Sequence, residues 1–328
     1  MVSPALPTVY ITMGDPHGIG PEVVLKALHA LLPQHLAVFG LCGSGPVLEH
    51  YLQLLQLDIP VEEGPPQSDP GKIYFLEQTP PGMPSFEPGR VHRMCGKASI
   101  AFLELALERI GKKRRTALVT GPVSKEAIWR AGYLVPGQTE FLAEWYGVAR
   151  YSMMLISGTF RVGFVTTHHP LKEVAGLLSK ELIISRVSTV REDLRRRFRI
   201  RKPKIAVSAL NPHAGEMGML GREEMEIIWP AVEELRQRGM DVSGPFSADT
   251  LFTTKRLSEF DAFMAMYHDQ GMIPIKMHGF GKAVNYTAGL PIVRTSPDHG
   301  TAFDIAGKGV ADATSMVEAI RLAVSLVH

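Results

Sequence analysis

Short apolar runs alternate with segments of helical period along this chain, and a turn rich in glycine, proline or histidine follows most of the runs. Val9 to Met13 has the composition of a buried strand. After the turn Gly14-Asp15-Pro16-His17-Gly18-Ile19-Gly20, apolar positions at Val23, Val24, Leu25, Ala27 and Leu28 predict a helix opened by Pro21. Leu36 to Phe39 starts a second unit. Thr116 to Thr120, closed by Gly121-Pro122, leads into a helix start at Ser124-Lys125-Glu126-Ala127. Arg161 to Thr166, Ile205 to Ala209 and Ala262 to Tyr267 repeat the design. Such strand, turn and helix units predict an α/β protein with mostly parallel sheets. A long helix is expected over Lys97 to Ile110, its apolar face serving as core or dimer interface. Residues 60 to 93, rich in Pro and Gly, read as irregular excursions and edge strands.

Composition narrows the class. The 328 residues predict roughly two domains at about 150 residues each. With 35 Lys+Arg against 33 Asp+Glu, the net charge of +2 gives no electrostatic footprint for nucleic acid. The basic runs 112–115 and 191–202 then read as solvated faces. No apolar stretch approaches the ~20 residues of a membrane span, and the first residues lack a cationic region ahead of a long apolar run. Two cysteines, Cys42 and Cys95, rule out a disulfide scaffold. The expectation is a soluble, cytoplasmic enzyme without membrane or nucleic-acid partners.

Candidate chemistry gathers at strand ends. His168 and His169 follow one strand, His213 a second and His268 a third. In open α/β sheets ligands bind beyond the carboxyl ends of strands, so these imidazoles are either ligands for a divalent metal or turn-capping residues. The segment RTSPDHGTAFDIAGKG, with Asp298, His299, Gly300, Thr301 and Asp304, has the glycine density that lets backbone amides approach a phosphate or adenosine. Neither Gly14 to Gly20 nor Gly40 to Gly45 has the G-x-G-x-x-G spacing of a dinucleotide fingerprint. The first of these loops supports an anion or simply makes a tight turn. Lys276, Asn285 and Arg294 are suited to an anionic substrate. Asp249 and Asp269 are candidates to accept a proton or orient a ligand, and Asp249 equally suits a helix cap. No G-x-S-x-G elbow is present, and neither cysteine has a catalytic setting.

Taken together, ITMGDPHGIGPEV (11–23), VTGPVSKEAI (119–128), GQTEFLAE (137–144), TTHHPL (166–171), ALNPHAGEMGMLGREE (209–224), GPFSADTLF (244–252), YHDQGMIPIK (267–276) and VNYTAGLPIVRTSPDHGTAFDIAGKG (284–309) resemble the 4-hydroxythreonine-4-phosphate dehydrogenase family of vitamin B6 biosynthesis. The last block also resembles the adenosine-binding loop of isocitrate and isopropylmalate dehydrogenases. The resemblance implies two α/β/α domains of that dehydrogenase type with an active-site cleft between them. Because the cofactor loop must return to the N-terminal sheet, the expected division is 1–125 plus 285–328, carrying that loop, and 126–284, carrying metal, substrate and dimer contacts.

By the same resemblance, His168, His213 and His268 would hold a divalent metal (Zn, Mg, Co or Mn). Gln138, Thr139, Lys276, Asn285 and Arg294 would contact substrate, with Lys276, Asp249 and Asp269 as catalytic candidates. Asp298, His299, Gly300, Thr301 and Asp304 would bind NAD or NADP. A homodimer sharing its active sites is implied, one metal ligand crossing between subunits. The implied reaction is oxidation of 4-phosphooxy-L-threonine at C3 followed by decarboxylation to 3-amino-2-oxopropyl phosphate. One departure bears on the substrate. Gln138-Thr139 stands where the family commonly has His-Thr, and glutamine cannot carry a positive charge or shuttle a proton. A dehydrogenase for 4-phosphoerythronate or 4-phosphothreonate, or a phosphate acyltransferase of related fold, is the competing expectation.

Overall fold

The computed structural model describes residues 6–83, 86–135 and 137–327. In chain order the elements begin β1 (Thr8–Thr12), α1 (Gly20–Leu31), β2 (Val38–Gly43), α2 (Gly45–Leu54), β3 (Val61–Glu63), β4 (Ile73–Glu77), α3 (Arg93–Ile110) and β5 (Thr116–Thr120). Next come α4 (Lys125–Arg130), α5 (Gln138–Trp145), β6 (Ser152–Ser157), β7 (Phe160–Phe164), α6 (Leu171–Leu177), α7 (Lys180–Arg196), β8 (Lys204–Ser208) and α8 (Trp229–Gln237). The chain ends β9 (Asp241–Phe246), α9 (Ala248–Leu251), α10 (Thr254–Leu257), β10 (Ala262–Ala265), α11 (His268–Gly279), β11 (Val284–Ala288), β12 (Val293–Pro297) and α12 (Thr314–Leu326).

These elements fall into two compact units, Met1–Leu142 with Pro291–His328, and Ala143–Leu290. The first boundary lies later than residue 125 because α4 packs on α3 and Gln138 Nε2 donates to the Gly121 carbonyl at 3.3 Å, tying 126–142 to the first unit.

In the first unit the strand order is β3-β4-β2-β1-β5-β12, and all neighbours run parallel. Helices α3 and α4 pack on one another, with α3 over β1, β2 and β5; α12 lies over β12 and β5 and packs on α1. With helices on both faces, Val9 to Thr12 and Thr116 to Thr120 are buried at every position. That is why these strands read as continuous apolar runs and were legible. Helix α3 starts four residues before Lys97, because His92 Nδ1 accepts from Met94 N at 3.2 Å and caps it. Histidine is not among the preferred caps, so the sequence carried no start signal there.

In the second unit the order is β11-β6-β7-β10-β8-β9, with β11–β6 and β6–β7 antiparallel and the remaining neighbours parallel. The run expected over Arg161 to Thr166 is therefore the second strand of a hairpin, joined to β6 through Gly158-Thr159. Its first strand, SMMLIS, went unread because it is methionine-rich and shows no alternation. Phe160, Phe164 and Phe263 anchor this unit's core with Leu155 and Ile275, the Phe160 and Phe263 rings meeting edge to face at 5.4 Å.

Among the described residues no helix is long and apolar enough to cross a membrane. Both cysteines are buried, and burial pushes each thiol up to about 12, so neither is a nucleophile at neutral pH.

Candidate active site

In the first unit a hydrogen-bonded cluster joins the start of β12 to the carboxyl end of β5. Arg294 is 2% exposed on β12, in register with Leu118 of β5. Its Nη2 donates to Thr120 Oγ1 at 2.7 Å and to Gln138 Oε1 at 3.0 Å, and Nη1 reaches Thr139 Oγ1 at 3.4 Å. These acceptors are neutral oxygens, which orient the guanidinium without cancelling its charge. Burial lowers its pKa to about 10, with Glu140 pulling the other way, so the group stays cationic at neutral pH. Three of the expected substrate contacts thus converge: Arg294, Gln138 and Thr139. A fixed, buried, forked cation is suited to carboxylate or phosphate.

The turn after β1 is folded against this cluster. Gly14 has φ +76°, and a Cβ there would lie 2.3 Å from the Pro122 carbonyl oxygen, so the close approach of the two turns requires glycine. Asp15 is fully buried; its Oδ1 accepts from His17 N at 2.9 Å, while Oδ2 has no hydrogen-bond partner. Burial pushes its carboxyl up to about 7, against the backbone hydrogen bonds from His17, Ser124 and Gly18. The folded state therefore holds this proton more tightly than the unfolded chain. Stability from this group is complete below the ordinary carboxylate range and is lost as pH rises towards 7, a difference on the order of a few kcal/mol. Asp15→Asn is expected to flatten the dependence of the melting temperature between about pH 4 and pH 8 and to raise it at the upper end, measured by thermal denaturation.

The glycine-rich segment 298–309 lies beside the same turn. Thr301 O accepts from Ile19 N at 2.9 Å. Asp298 N donates to Ser315 Oγ at 3.1 Å, and His299 Nδ1 lies 3.1 Å from the Gly300 carbonyl oxygen. The other ring nitrogen, Nε2, is buried without a partner, while Gly300 and Asp304 are exposed. An orphaned polar atom beside exposed backbone fits a cradle for a nucleotide, the role the sequence suggested for these residues.

In the second unit, Thr166 and Met266 explain how two histidines meet. Thr166 donates to the Met266 carbonyl through N at 3.1 Å and Oγ1 at 2.7 Å, so the exits of β7 and β10 run together. The His168 and His268 rings are consequently 5.4 Å apart between centroids. They line a cavity of about 210 Å³ with Thr167, His169, Tyr267 and Asp269. His268 Nδ1 lies 2.7 Å from Asp269 Oδ1, so Nε2 is the ring nitrogen that a ligand could use. Asp269 therefore serves as an orienting partner of His268.

His213 is not brought into this cluster. It begins a run of left-handed residues, His213 to Met217, with φ between 43° and 76°. At about 1–2 kcal/mol for each non-glycine member, such a run needs compensation. Glu224, 3% exposed, supplies part of it: Oε1 accepts from Leu210 N and Asn211 N, both at 2.8 Å, and Oε2 from Asn211 Nδ2 at 2.9 Å. Among the described residues no three His, Cys, Asp or Glu side chains are grouped to hold an ion. One chain thus brings two of the three expected imidazoles together and leaves His213 apart from them.

Asn285, on β11, has a buried Oδ1 without a partner, and Lys276 is half-buried two turns along α11 from His268. Asp249 is exposed on α9, where Ser247 Oγ donates to its Oδ1 at 2.5 Å; that bond and nearby His213 hold its carboxyl below the usual range.

Sequence reasoning missed Thr120, Gln270 and Glu224. Gln270 is buried, accepting from Met266 N at 2.7 Å and donating to the Ala209 carbonyl at 2.6 Å, which joins the ends of β10 and β8. A polar residue just after a strand or ligand motif was the available signal at Thr120 and Gln270. Glu224 has none, since it acts on a loop through a π-helical turn, Glu224–Ile228.

Residues 35–323 match the family described as pyridoxal phosphate biosynthetic protein PdxA. The chain is 43% identical over 318 residues to the 4-hydroxythreonine-4-phosphate dehydrogenase of Sulfurihydrogenibium sp. strain YO3AOP1, covering 96% of this chain and 97% of that one. It is 41% identical over 326 residues to a Bradyrhizobium diazoefficiens protein provisionally named a D-threonate 4-phosphate dehydrogenase, covering 94% of each. Among solved structures, the 4-hydroxythreonine-4-phosphate dehydrogenase of Klebsiella pneumoniae matches with a TM-score of 0.87 at 35% identity, over 98% of this chain and all of that one.

Proposed function

The chain belongs to the pyridoxal phosphate biosynthetic protein PdxA family, and on that footing we propose that it oxidises 4-phosphooxy-L-threonine at C3 with NAD. The oxidised product then loses carbon dioxide to give 3-amino-2-oxopropyl phosphate, a step towards pyridoxal phosphate. The observation that carries this reading is the buried, forked cation Arg294 with Gln138 and Thr139, a recognition element for an anionic substrate.

Arg294 holds a carboxylate or phosphate oxygen pair, and Gln138 and Thr139 fix the guanidinium plane and offer further polar contacts. Asn285 Oδ1 accepts a hydrogen bond from a substrate hydroxyl or ammonium, and Lys276 adds a point charge for the second anionic group. Asp269 keeps His268 in one tautomer. Asp249, ionised at neutral pH, accepts the C3 hydroxyl proton. The loop from Asp298 to Asp304 would hold NAD, which when bound would supply the hydride acceptor; NAD is favoured over NADP because the loop has no arginine for a 2′-phosphate. His168, His213 and His268, one of them reaching across a homodimer, would hold a divalent ion such as Zn, Mg, Co or Mn, which when bound would supply Lewis-acid chemistry. The setting is cytoplasmic.

Gln138 and the Bradyrhizobium relative favour a second reading, a dehydrogenase for 4-phosphothreonate or 4-phosphoerythronate. Steady-state NADH formation with the three substrates separates them. The amino acid is expected to lead in kcat/KM by at least about tenfold. A lead of that size for either non-amino acid would replace the first reading with the second.

A further inference from the structure

Helix α1 carries an ion pair that the reaction above does not use. Glu22 is fully buried in the first turn, and its Oε1 accepts from Lys26 Nζ at 2.7 Å and from Ala311 N at 2.7 Å. Lys26 Nζ also donates to the carbonyls of Gly309 at 2.9 Å and Ala311 at 2.8 Å. All three ammonium protons are thereby used, two of them on backbone more than 280 residues away in the chain. An exposed pair four residues apart on a helix contributes a few tenths of a kcal/mol and organises nothing beyond its own turn. This pair is different, because its members meet the backbone at the exit of segment 298–309. The entry of that segment is fastened to the same helix. Ile19 N donates to Thr301 O, and a Cβ on Gly18 would come within 2.9 Å of Thr301 Cβ. Between the two fastenings lie the exposed Asp304 and Lys308, and immediately before the first stand His299, with its unpartnered Nε2, and the exposed Gly300.

We propose that Lys26 and Glu22 are positioning residues for the nucleotide loop, holding Gly309 to Ala311 so that the segment presents a preformed surface to the adenosine diphosphate half of the cofactor. The inference rests on the reading of 298–309 as the NAD site. A loop fixed at both ends loses less freedom on binding, so the pair acts on cofactor affinity and leaves the chemical step alone.

The test uses Glu22→Gln/Lys26→Met, which removes the ammonium without stranding a buried carboxylate, so that the fold carries no unpaired charge. ADP-ribose is the calorimetric probe, with kcat and both KM values measured alongside. The Kd for ADP-ribose and the KM for NAD are expected to rise together by about tenfold, with kcat at saturating NAD and the substrate KM unchanged. Lys26→Arg should keep most of the affinity, and Glu22→Gln/Lys26→Gln, which keeps an amide donor group and leaves no buried charge, should give a smaller rise in the same direction and serves if the first double variant does not fold. Unchanged ADP-ribose affinity in the variants overturns the proposal, as does a loss spread equally over substrate KM and kcat. Failure of the unsubstituted protein to bind ADP-ribose overturns the NAD reading and the proposal with it.

Discussion

Arg294→Met is expected to lower kcat/KM for the phosphorylated substrate by about a thousandfold, which corresponds to about 4 kcal/mol of lost interaction with the bound anion. The expectation comes from where the guanidinium sits. It is buried, it stays cationic, and Thr120, Thr139 and Gln138 hold its plane with neutral oxygens. Methionine fills a similar volume and removes the cost of burying a cation, so the melting temperature should hold or rise as activity falls. Arg294→Lys should recover little, because a point charge cannot serve acceptors arranged around a planar fork. Steady-state kinetics with parallel thermal denaturation reads both. Activity within about threefold of the unsubstituted protein would remove Arg294 from the substrate site.

The second large effect is expected at His268. His268→Ala should abolish stoichiometric metal after dialysis, measured by elemental analysis, and lower turnover by at least about a thousandfold. Asp269→Asn should weaken metal binding by about 10–100-fold and leave it detectable, since it alters only the partner that fixes the imidazole tautomer. His213→Ala is the discriminating variant. It stands outside the His168 and His268 pair of its own chain, so loss of metal there requires a second copy of the chain to bring the three imidazoles together. Full metal content in His213→Ala would limit the site to the pair and its carboxylate.

How much of this could be read from the residues follows from how local each signal is. The strands ending at Thr12, Thr120 and Ser208 were legible because burial on both faces writes itself as an unbroken apolar run. His168 and His268 were legible as a pair because both follow strands, and β7 and β10 turned out to be neighbours. That His213 would stand apart was not, because strand order decides it and no spacing encodes strand order. Asp15 looked like any turn aspartate; its raised pKa comes from the turns packed over it. Glu22 and Lys26 have the i, i+4 spacing of any helical ion pair, and nothing near them in sequence names the carbonyls of Gly309 and Ala311.

The division of the chain also sets an order of assembly. The unit from Ala143 to Leu290 is continuous, so all of its strands are available once that stretch has been made. The other unit is not. Strand β12 has to pair with β5, and Lys26 and Glu22 close on Gly309 and Ala311, both across more than 150 residues. Parallel pairing over such separations is slow, because loop closure has to precede any contact that rewards it. During synthesis the N-terminal strands therefore wait, with the β5 edge uncovered, until residues 291–327 emerge. A released chain truncated after residue 290 should hold a folded middle and an open, chaperone-accessible beginning.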